Sequence, residues 1–241
     1  MLKGLKTRST DPEIMDNFQG TPETLQSVLE DINNVNRILG GNKITVAAVH
    51  RLLSANPRER YTIVDVGCAD GSMLRALALL CRKKGVTADF LGLDLSVDAL
   101  ELARAASKDF PEIRYREQDV LQLSEADFTC DILVTTLMTH HFTDGDLRVL
   151  LAQFARLTDI AVVNNDLHRS ALAFYLFKAF SIFFIRTPTA KIDGLISIRK
   201  GFKKRELLAF AKALPQMNHK IKWKWAFRYV WIMQPKRPKT I

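Results

Sequence analysis

The sequence predicts an α/β fold: a doubly wound, mostly parallel, seven-stranded sheet with an N-terminal helical extension and a C-terminal antiparallel hairpin. Strand-like and helix-like hydrophobic patterns alternate from Tyr61 to Asn164, which is typical of a parallel sheet with helices on both faces. The apolar run before Gly67 passes through a two-glycine turn directly into a helix pattern. The last two strand patterns are joined by too few residues for a crossover helix, so they are predicted to pair as a hairpin.

Two helices are predicted ahead of the sheet, in an extension that covers residues 1–56. Thr21-Pro22-Glu23 combines an N-cap, a first-turn proline and an acid, which is typical of a helix start. Apolar residues then follow helical spacing until Gly40-Gly41 ends the helix. A second helix pattern follows and is expected to end before Pro57. The remaining residues, 57–241, form the predicted sheet domain.

From Tyr61 onward the elements follow the order that a doubly wound sheet requires. Each strand pattern is a short apolar run, and each helix pattern repeats apolar residues every three or four positions. Gly85 ends the first of these helices. We predict helices over Met73–Lys84, Val97–Ser107 and Asp146–Leu157, a fifth strand over Ile160–Asn164, and hairpin strands over His219–Trp225 and Arg228–Gln234.

Acids stand at the carboxyl ends of three strand patterns. Asp65 lies near the end of the first strand, Asp94 ends the second and Asp119 follows the third. The carboxyl ends of parallel strands meet at one edge of the sheet, where ligands bind in such folds. We therefore expect Asp94 to accept from the ribose hydroxyls of a nucleoside and Asp119 to accept from an adenine amino group.

The turn after Asp65 distinguishes between nucleotide ligands. Its pattern, Asp-x-Gly-x-x-x-Gly, differs from the Gly-x-Gly-x-x-Gly fingerprint of dinucleotide sites, and few cations lie near it to bind phosphates. Gly67 lets a ligand lie against the backbone, and Gly71 lets the next helix begin close to the sheet. A nucleoside with a positive centre and no phosphate fits this turn, and S-adenosylmethionine is such a ligand. A different nucleotide, or no ligand, is the alternative.

Four segments in register resemble the motifs of class I S-adenosylmethionine-dependent methyltransferases. The first three are Asp65–Gly71, Gly92–Ser96 and Gln118–Val120, and Asp131–Phe142 resembles the fourth motif of quinone-type small-molecule methyltransferases. The resemblance implies a Rossmann-like domain over 57–241, with S-adenosylmethionine as cofactor and residues 1–56 as a lid. It also implies cofactor contacts at Arg37, Asp65, Gly67, Cys68, Ala69, Gly71, Asp94, Leu95, Asp119, Val120 and Thr136, with Arg37 reaching the methionine carboxylate.

His140 and His141 follow the fourth strand pattern, where the resemblance places the transferable methyl group. Neutral imidazole is the natural base near neutral pH, so either histidine is a candidate to remove a proton from a hydroxyl acceptor. The alternative is a structural role, in packing or in capping Asp144. A metal site made with Asp144 and Asp146 is not predicted, because adjacent side chains diverge and the spacing differs from zinc motifs.

A polar run over 164–170 follows the predicted fifth strand and precedes an aromatic segment over 171–185. The aromatic segment is too short for a membrane span, for which about 20 residues are needed. It is either a core helix, a lid over an apolar acceptor pocket, or a helix on a membrane surface. We predict that residues 167–200 form a helical lid insertion. The candidate acceptor-binding residues are Asn165, Asp166, His168 and Arg169.

Three segments also resemble, more loosely, bacterial methyltransferases encoded with type III polyketide synthases. They are Asn36–Gly41, Asp166–Ser170 and Asp193–Arg199. This resemblance implies a hydrophobic, phenolic or polyketide-like acceptor and O-methylation. Thr135–Met138 replaces the Asn/Asp-Pro-Pro-Tyr/Phe motif that grips an exocyclic nitrogen, which argues against an amino-methylating nucleic-acid enzyme.

The formal net charge of +9 keeps other partners in consideration. The alternatives are an RNA methyltransferase of another type, a membrane-associated quinone-type enzyme, and a non-catalytic module that docks on an acidic carrier protein. Lysines alternate with apolar residues over Ile221–Trp225, as they do on the solvated face of an edge strand. Three scattered cysteines and an N-terminus without an apolar signal segment predict a cytoplasmic protein with no disulfide framework.

Overall fold

The computed structural model describes residues 5–124 and 128–236 of the chain. The strands are β1 (Tyr61–Val66), β2 (Ala88–Asp94), β3 (Ile113–Glu117), β4 (Cys130–Thr136), β5 (Thr158–Leu167), β6 (Met217–Lys224) and β7 (Arg228–Pro235). They form one sheet in the order β3-β2-β1-β4-β5-β7-β6. β1 to β5 pair in parallel, whereas β7 is antiparallel to both β5 and β6. The predicted doubly wound, mostly parallel sheet with a C-terminal hairpin is confirmed.

The described α-helices are α1 (Pro22–Ile38), α2 (Gly41–Ala55), α3 (Ser72–Lys84), α4 (Val97–Ala106), α5 (Asp144–Leu157), α6 (Ala171–Phe184), α7 (Pro188–Lys200) and α8 (Lys204–Lys212). Both predicted N-terminal helices are confirmed: Thr21 Oγ1 caps α1 by accepting from Thr24 N, and Gly40 turns the chain with a φ of 72°. α5 begins two residues earlier than predicted because Thr143 is its N-cap.

Two apolar clusters cover the two faces of the sheet. On one face, Leu74 and Leu77 of α3 pack with Ile63 of β1. On the other face, Phe154 of α5 packs with Phe210 of α8. These side chains are buried, and removing one such side chain costs about 2–5 kcal/mol of stability. The core therefore holds the strand ends, and the side chains on them, in fixed positions.

β5 is longer than predicted, and this changes the position of the polar run. The hydrophobic pattern stopped at Asn164, whereas the strand continues to Leu167, and Asn164, Asn165 and Asp166 are buried within it. β4 pairs with one edge of this strand and β7 with the other, the latter as far as Leu167. Ladder hydrogen bonds on both edges keep the polar residues extended, so the first three of them belong to the sheet and not to a loop.

α6 is not a core helix, so that interpretation of the aromatic segment is wrong. Only Ala173 and Ser181 of this helix are buried. Phe177 and Phe180 pack on an apolar cluster shared by α1 and α7, and backbone N–H groups of the α6–α7 turn donate to the buried Asp31 of α1. The helix is thus fixed to the N-terminal extension along one side only. Among the described helices, none is both long enough and apolar enough to cross a membrane.

Candidate active site

Glycines and close neighbours shape the turn that follows β1. Gly67 and Gly71 have φ of 74° and 73°, in the left-handed region that favours glycine. A Cβ atom at Gly67 would lie 2.5 Å from Cγ of Met138, and one at Gly71 would lie 2.1 Å from the hydroxyl of Tyr115. The turn therefore passes between Met138, which follows β4, and Tyr115, which lies on β3, and it has no room for a larger residue at either glycine.

Backbone N–H groups of two loops hold Asp94 at the end of β2. Its Oδ2 accepts from Ala69 N at 2.8 Å, and its Oδ1 accepts from Ser96 N at 3.0 Å. A carboxylate offers about four lone-pair sites, so each oxygen can accept a further hydrogen bond. The neighbouring Leu95 is 68% exposed, so it offers an apolar surface at the same edge of the sheet.

Asp119 is fixed in a similar way beyond the end of β3. Its Oδ1 accepts from Leu121 N at 3.0 Å, and its Oδ2 accepts from Gln122 Nε2 at 2.8 Å. Val120, the next residue, begins a short 3-10 helix and is half-buried. The carboxylate is thereby held at a strand end, as the sequence predicts.

Asp65 lies beneath the glycine turn without a hydrogen-bond donor. It is buried, and its Oδ1 has no partner. Burial raises the pKa of Asp65 well above its usual range, and the charges of Asp94 and Asp70 raise it further. Burial likewise raises the pKa of the adjacent Cys68 thiol. A buried carboxyl without a donor, close to two further acids, favours a cationic ligand, so these residues fit the ammonium and sulfonium charges of S-adenosylmethionine.

Asn33 connects α1 with the glycine turn. Its Nδ2 donates to Asp70 Oδ2 at 2.8 Å, and its Oδ1 accepts from the Ser72 hydroxyl at 2.8 Å. Arg37 lies one helical turn further on, is exposed, and donates to Asn34 Oδ1 at 2.9 Å. No acid lines the small cavity of about 240 Å³ at this point, as far as the chain is described. Its lining residues are Asn33, Asn34, Asn36, Arg37, Asn42 and Lys43.

The N-terminal end of α2 covers the ends of β4 and β5. The hydroxyls of Thr45 and Thr136 are 3.2 Å apart, and Asn165 Nδ2 donates to Thr45 Oγ1 and to Gly41 O, both at 3.0 Å. Asn165 Oδ1 has no partner although it is buried. Leu137, which follows Thr136, has a φ of 57°, a conformation that is costly for a residue other than glycine. Strained backbone of this kind is concentrated at functional sites.

Asp166 of β5 orients His140, which follows β4 in a 3-10 turn. His140 Nδ1 lies 2.7 Å from Asp166 Oδ1, while Asp166 Oδ2 accepts from His140 N at 3.0 Å and from the Thr139 hydroxyl at 2.6 Å. His140 Nε2 lies 3.5 Å from Glu13 Oε1, and neither atom has a hydrogen-bond partner. Asp166 was predicted to bind the acceptor, but its carboxylate forms hydrogen bonds with Thr139, His140 and Leu167 N.

The charges around His140 decide its protonation state. Burial alone lowers the pKa of an imidazole, but Asp166 and Glu13 outweigh burial and raise the pKa of His140 to about 9. Burial raises the pKa of the Asp166 carboxyl, yet His140 and the hydrogen bonds of Thr139 and Leu167 bring it below its usual range. In this arrangement His140 therefore carries its proton at neutral pH.

The N-terminal segment supplies Glu13, a residue that the sequence interpretation missed. Its Oε1 lies 3.3 Å from Lys200 Nζ, and its Oε2 lies 3.8 Å from His141 Nε2. His141 Nδ1 lies 2.7 Å from Asp16 Oδ1, and its ring centroid is 4.4 Å from that of His140. The two imidazoles thus converge, contrary to the expectation that they diverge. Glu13 and both histidines could hold a cation between them, but Lys200 already provides a positive charge there.

His168 and Arg169 make contacts on the other side of the β5 end. The guanidinium of Arg169 is buried, forms an ion pair with Glu206 and donates to Gly201 O. His168 Nδ1 accepts from Trp223 Nε1 at 3.2 Å. Burial and the charges of Lys203 and Arg169 lower the pKa of His168. Arg169 therefore joins the end of β5 to α8 and to the turn before it, and we do not retain it as an acceptor contact.

Comparisons with known proteins agree with this geometry. Residues 63–159 match the family model described as a methyltransferase domain. A comparison with curated proteins gave no match. The plantazolicin methyltransferase BpumL in complex with SAH is 14% identical, with a TM-score of 0.65 over 89% of this chain and 95% of that chain.

Two further structures share the fold. The magnesium protoporphyrin IX methyltransferase ChlM from Synechocystis PCC 6803, with bound SAH, is 15% identical, with a TM-score of 0.58 over 84% of this chain and 87% of that chain. The CMeT domain of the citrinin polyketide synthase is 12% identical, with a TM-score of 0.58 over 76% of this chain and 48% of that chain. The sheet order and the glycine turn are those of the Rossmann-like class I methyltransferase fold. The chain thus carries a class I methyltransferase domain and is an S-adenosylmethionine-dependent methyltransferase.

Proposed function

We propose that this enzyme methylates a hydroxyl group of an apolar small molecule, with His140 as the general base. The observation that carries the proposal is the Asp166–His140 pair, 2.7 Å apart, at the ends of β5 and β4, on the edge of the sheet where the cofactor acids also lie. A carboxylate that holds one imidazole nitrogen leaves the other directed at the reacting group, which is the arrangement that removes a proton from a hydroxyl.

The cofactor contacts implied by the resemblance are proposed for the strand-end residues. Bound S-adenosylmethionine supplies an electrophilic methyl group. Asp94 would accept from the ribose hydroxyls, Asp119 would accept from the adenine amino group, and Leu95 and Val120 would contact the base. Asp65 would offset the positive charge, and Arg37 would donate to the methionine carboxylate. The backbone from Gly67 to Gly71, with Cys68 and Ala69, and the side chain of Thr136 would complete the binding site.

Because Glu13 lies against Nε2 of His140, another step must come before proton removal. With Glu13 3.5 Å from Nε2, the imidazole of His140 is protonated at neutral pH and has no free lone pair. We propose that the arriving acceptor separates the N-terminal segment from His140. Because the carboxylate of Glu13 helps to raise the pKa of His140, its departure lowers that pKa toward neutrality and frees the base. His141, which is less buried, is the second candidate for this role.

We further propose a phenolic or polyketide-like acceptor, held between residues 1–56 and the segment 167–200. The looser resemblance supports this class, and one structural neighbour is a domain of a polyketide synthase. Asn165, whose Oδ1 has no partner, and His168 are the proposed polar contacts. The charge of +9 keeps RNA and an acidic carrier protein as competing partners, and the exposed face of α6 favours a membrane-associated enzyme as the second candidate.

The test uses His140→Gln with His50→Gln as the matched control, because His50 lies on α2 outside the site. Release of S-adenosylhomocysteine is measured with a panel of phenols, the corresponding anilines, and a transfer RNA transcript. We expect turnover of phenols by the wild type and the control, and a loss of about 10²- to 10⁴-fold in His140→Gln, with unchanged cofactor affinity in calorimetry. Wild-type turnover by His140→Gln would overturn the general base, and turnover of RNA alone would overturn the acceptor class.

A further inference from the structure

α6 presents a stripe of large apolar side chains to solvent. Leu172, Tyr175, Leu176, Ile182 and Phe183 are 59%, 50%, 48%, 67% and 80% exposed. At about 100° per residue these positions fall on one side of the helix. The opposite side packs on α1 and α7. A stripe this long is unusual on a monomeric protein and indicates an interaction surface.

The tip of the β6–β7 hairpin adds two exposed tryptophans next to the start of α6. Trp223 and Trp225 are 47% and 64% exposed, and their rings lie 6.0 and 5.5 Å from that of Phe227. Trp223 Nε1 donates to His168, which precedes the first residue of α6 by three positions. The hairpin tip therefore lies at the N-terminal end of the helix.

Charge is distributed very unevenly along the chain. Residues 167–236 contain fifteen Lys and Arg and only two acids, Asp193 and Glu206, whereas residues 1–166 contain eighteen Lys and Arg and twenty-four acids. Asp193 is buried, and Glu206 is paired with Arg169. Within this basic segment, Lys204 and Arg205 are exposed and follow Phe202, which bridges to His168 beside the hairpin tip. The apolar stripe and the tryptophans thus belong to a strongly basic segment of the chain.

We propose that α6 and the hairpin tip dock this protein on the surface of an anionic lipid bilayer. An apolar helix face, exposed tryptophans and nearby lysines are the features that bind a bilayer interface, with the apolar groups at the acyl boundary and the cations at the headgroups. α6 has fourteen residues, so it lies on the bilayer and does not cross it. The docking does not depend on which acceptor is methylated.

The same observations argue against two other partners for this surface, a second copy of the chain and RNA. A second copy of this chain would bring two strongly basic segments together, and like charges at an interface are destabilising. RNA would be attracted by the cations and would find stacking surfaces at Tyr175, Phe183 and the two tryptophans, but the aliphatic Leu172, Leu176 and Ile182 on the same face would gain nothing from bases. An anionic bilayer interacts favourably with both the cations and the apolar stripe.

Vesicle cosedimentation of the full chain tests the proposal. The vesicles contain phosphatidylcholine alone or phosphatidylcholine with phosphatidylglycerol. The stripe variant is Ile182→Ser with Phe183→Ser, and its matched control is Leu79→Ser with Val149→Ser, two residues that are 55% and 53% exposed on α3 and α5. We expect the wild type and the control to bind phosphatidylglycerol vesicles with a blue shift of tryptophan fluorescence, and the stripe variant to bind roughly tenfold or more weakly. A charge variant, Lys204→Glu with Arg205→Glu, should also bind more weakly.

Three outcomes would overturn the proposal. One is the absence of wild-type binding to either vesicle type, and another is equal binding by the stripe variant and the wild type. The third is concentration-dependent self-association, seen in sedimentation equilibrium and abolished by the stripe variant, which would assign the surface to a second copy. Calorimetric titration with S-adenosylhomocysteine checks that each variant is folded. Because vesicle binding is measured without turnover, a failure of the proposed methyl transfer would leave this result unaffected.

Discussion

The two halves of the sheet edge are built in different ways. At the ends of β1 to β3, the acids are held by residues of adjoining loops: Asp94 accepts from Ala69 N and Ser96 N, and Asp119 accepts from Leu121 N. At the ends of β4 and β5, His140 is held by side chains from distant parts of the chain. The first half, which we call the cofactor half, is therefore held mainly by backbone N–H groups of neighbouring loops. The second half, which we call the acceptor half, is held by side chains and includes Glu13 from the N-terminal segment.

This difference indicates which half can move locally while the rest of the fold stays intact. Backbone donors cannot be withdrawn without disrupting a strand end, so the cofactor half is rigid. Glu13 lies opposite His140 and is the N-cap of a short 3-10 helix, Ile14–Asn17. This helix is joined to α7 through Asp193, whose carboxylate accepts from Ile14 N and Met15 N. The segment is also held by ion pairs of Lys200 with Glu13 and Asp16, but these are side-chain contacts, so releasing it would cost less than opening a core strand. We therefore expect cofactor binding to tolerate changes in the acceptor half.

The largest expected effect is on the cofactor half, from Gly67→Ala. The new Cβ would lie 2.5 Å from Met138 Cγ at a φ of 74°, whereas Gly85 has a similar φ of 65° and nothing within 4 Å of its Cβ position. Gly85→Ala is therefore the matched control for the backbone cost alone, about 1 kcal/mol of stability. We expect Gly67→Ala to weaken S-adenosylhomocysteine binding at least about a hundredfold in calorimetry, and Gly85→Ala to leave it unchanged. Equal affinities in the two variants would mean that the glycine turn does not contact the cofactor.

The same division explains what could be predicted from the sequence. The order of strands and helices along the chain, the glycine turn and the acids at three strand ends each depend on patterns within a few residues, so the sequence identifies them. The end of β5 was misjudged because Asn164, Asn165 and Asp166 have the composition of a loop, and their pairing partner β7 lies far along the chain. Local composition contains no information about that partner.

The pairing of Glu13 with His140 could not be predicted for a related reason. No spacing rule connects an acid near the N-terminus with a histidine after the fourth strand. Arg169 was predicted to contact the acceptor, yet Glu206 on α8 pairs with it, and nothing in the sequence around Arg169 indicates this. Side chains that meet through tertiary packing are therefore the part of the site that required the structure.

The second prediction concerns the pH dependence of stability in the acceptor half. The pKa of His140 is raised from 6.5 to about 9 in the folded protein, so its stabilising contribution is complete below pH 6.5 and is lost as the pH rises through about 9. We expect urea unfolding to show a loss of roughly 2–3 kcal/mol from this group over that range. His140→Gln should flatten the slope, and His50→Gln should retain it. A slope that persists in His140→Gln would assign the titration to another group.

The smallest expected effect tests whether the N-terminal extension is coupled to the rigid half. Asn33 of α1 bonds to Asp70 and Ser72 in the glycine turn, whereas its neighbour Asn34 accepts only from the exposed Arg37 among the contacts described for its side chain. Asn33→Ala and Asn34→Ala therefore remove the same chemical group with and without the link to the turn. We expect Asn33→Ala to weaken cofactor binding by about three- to tenfold, equivalent to about 1 kcal/mol, because two hydrogen bonds that position the turn are lost. Asn34→Ala should bind as the wild type does. If both variants bind normally, α1 is not coupled to the turn, and the extension acts on the acceptor half alone.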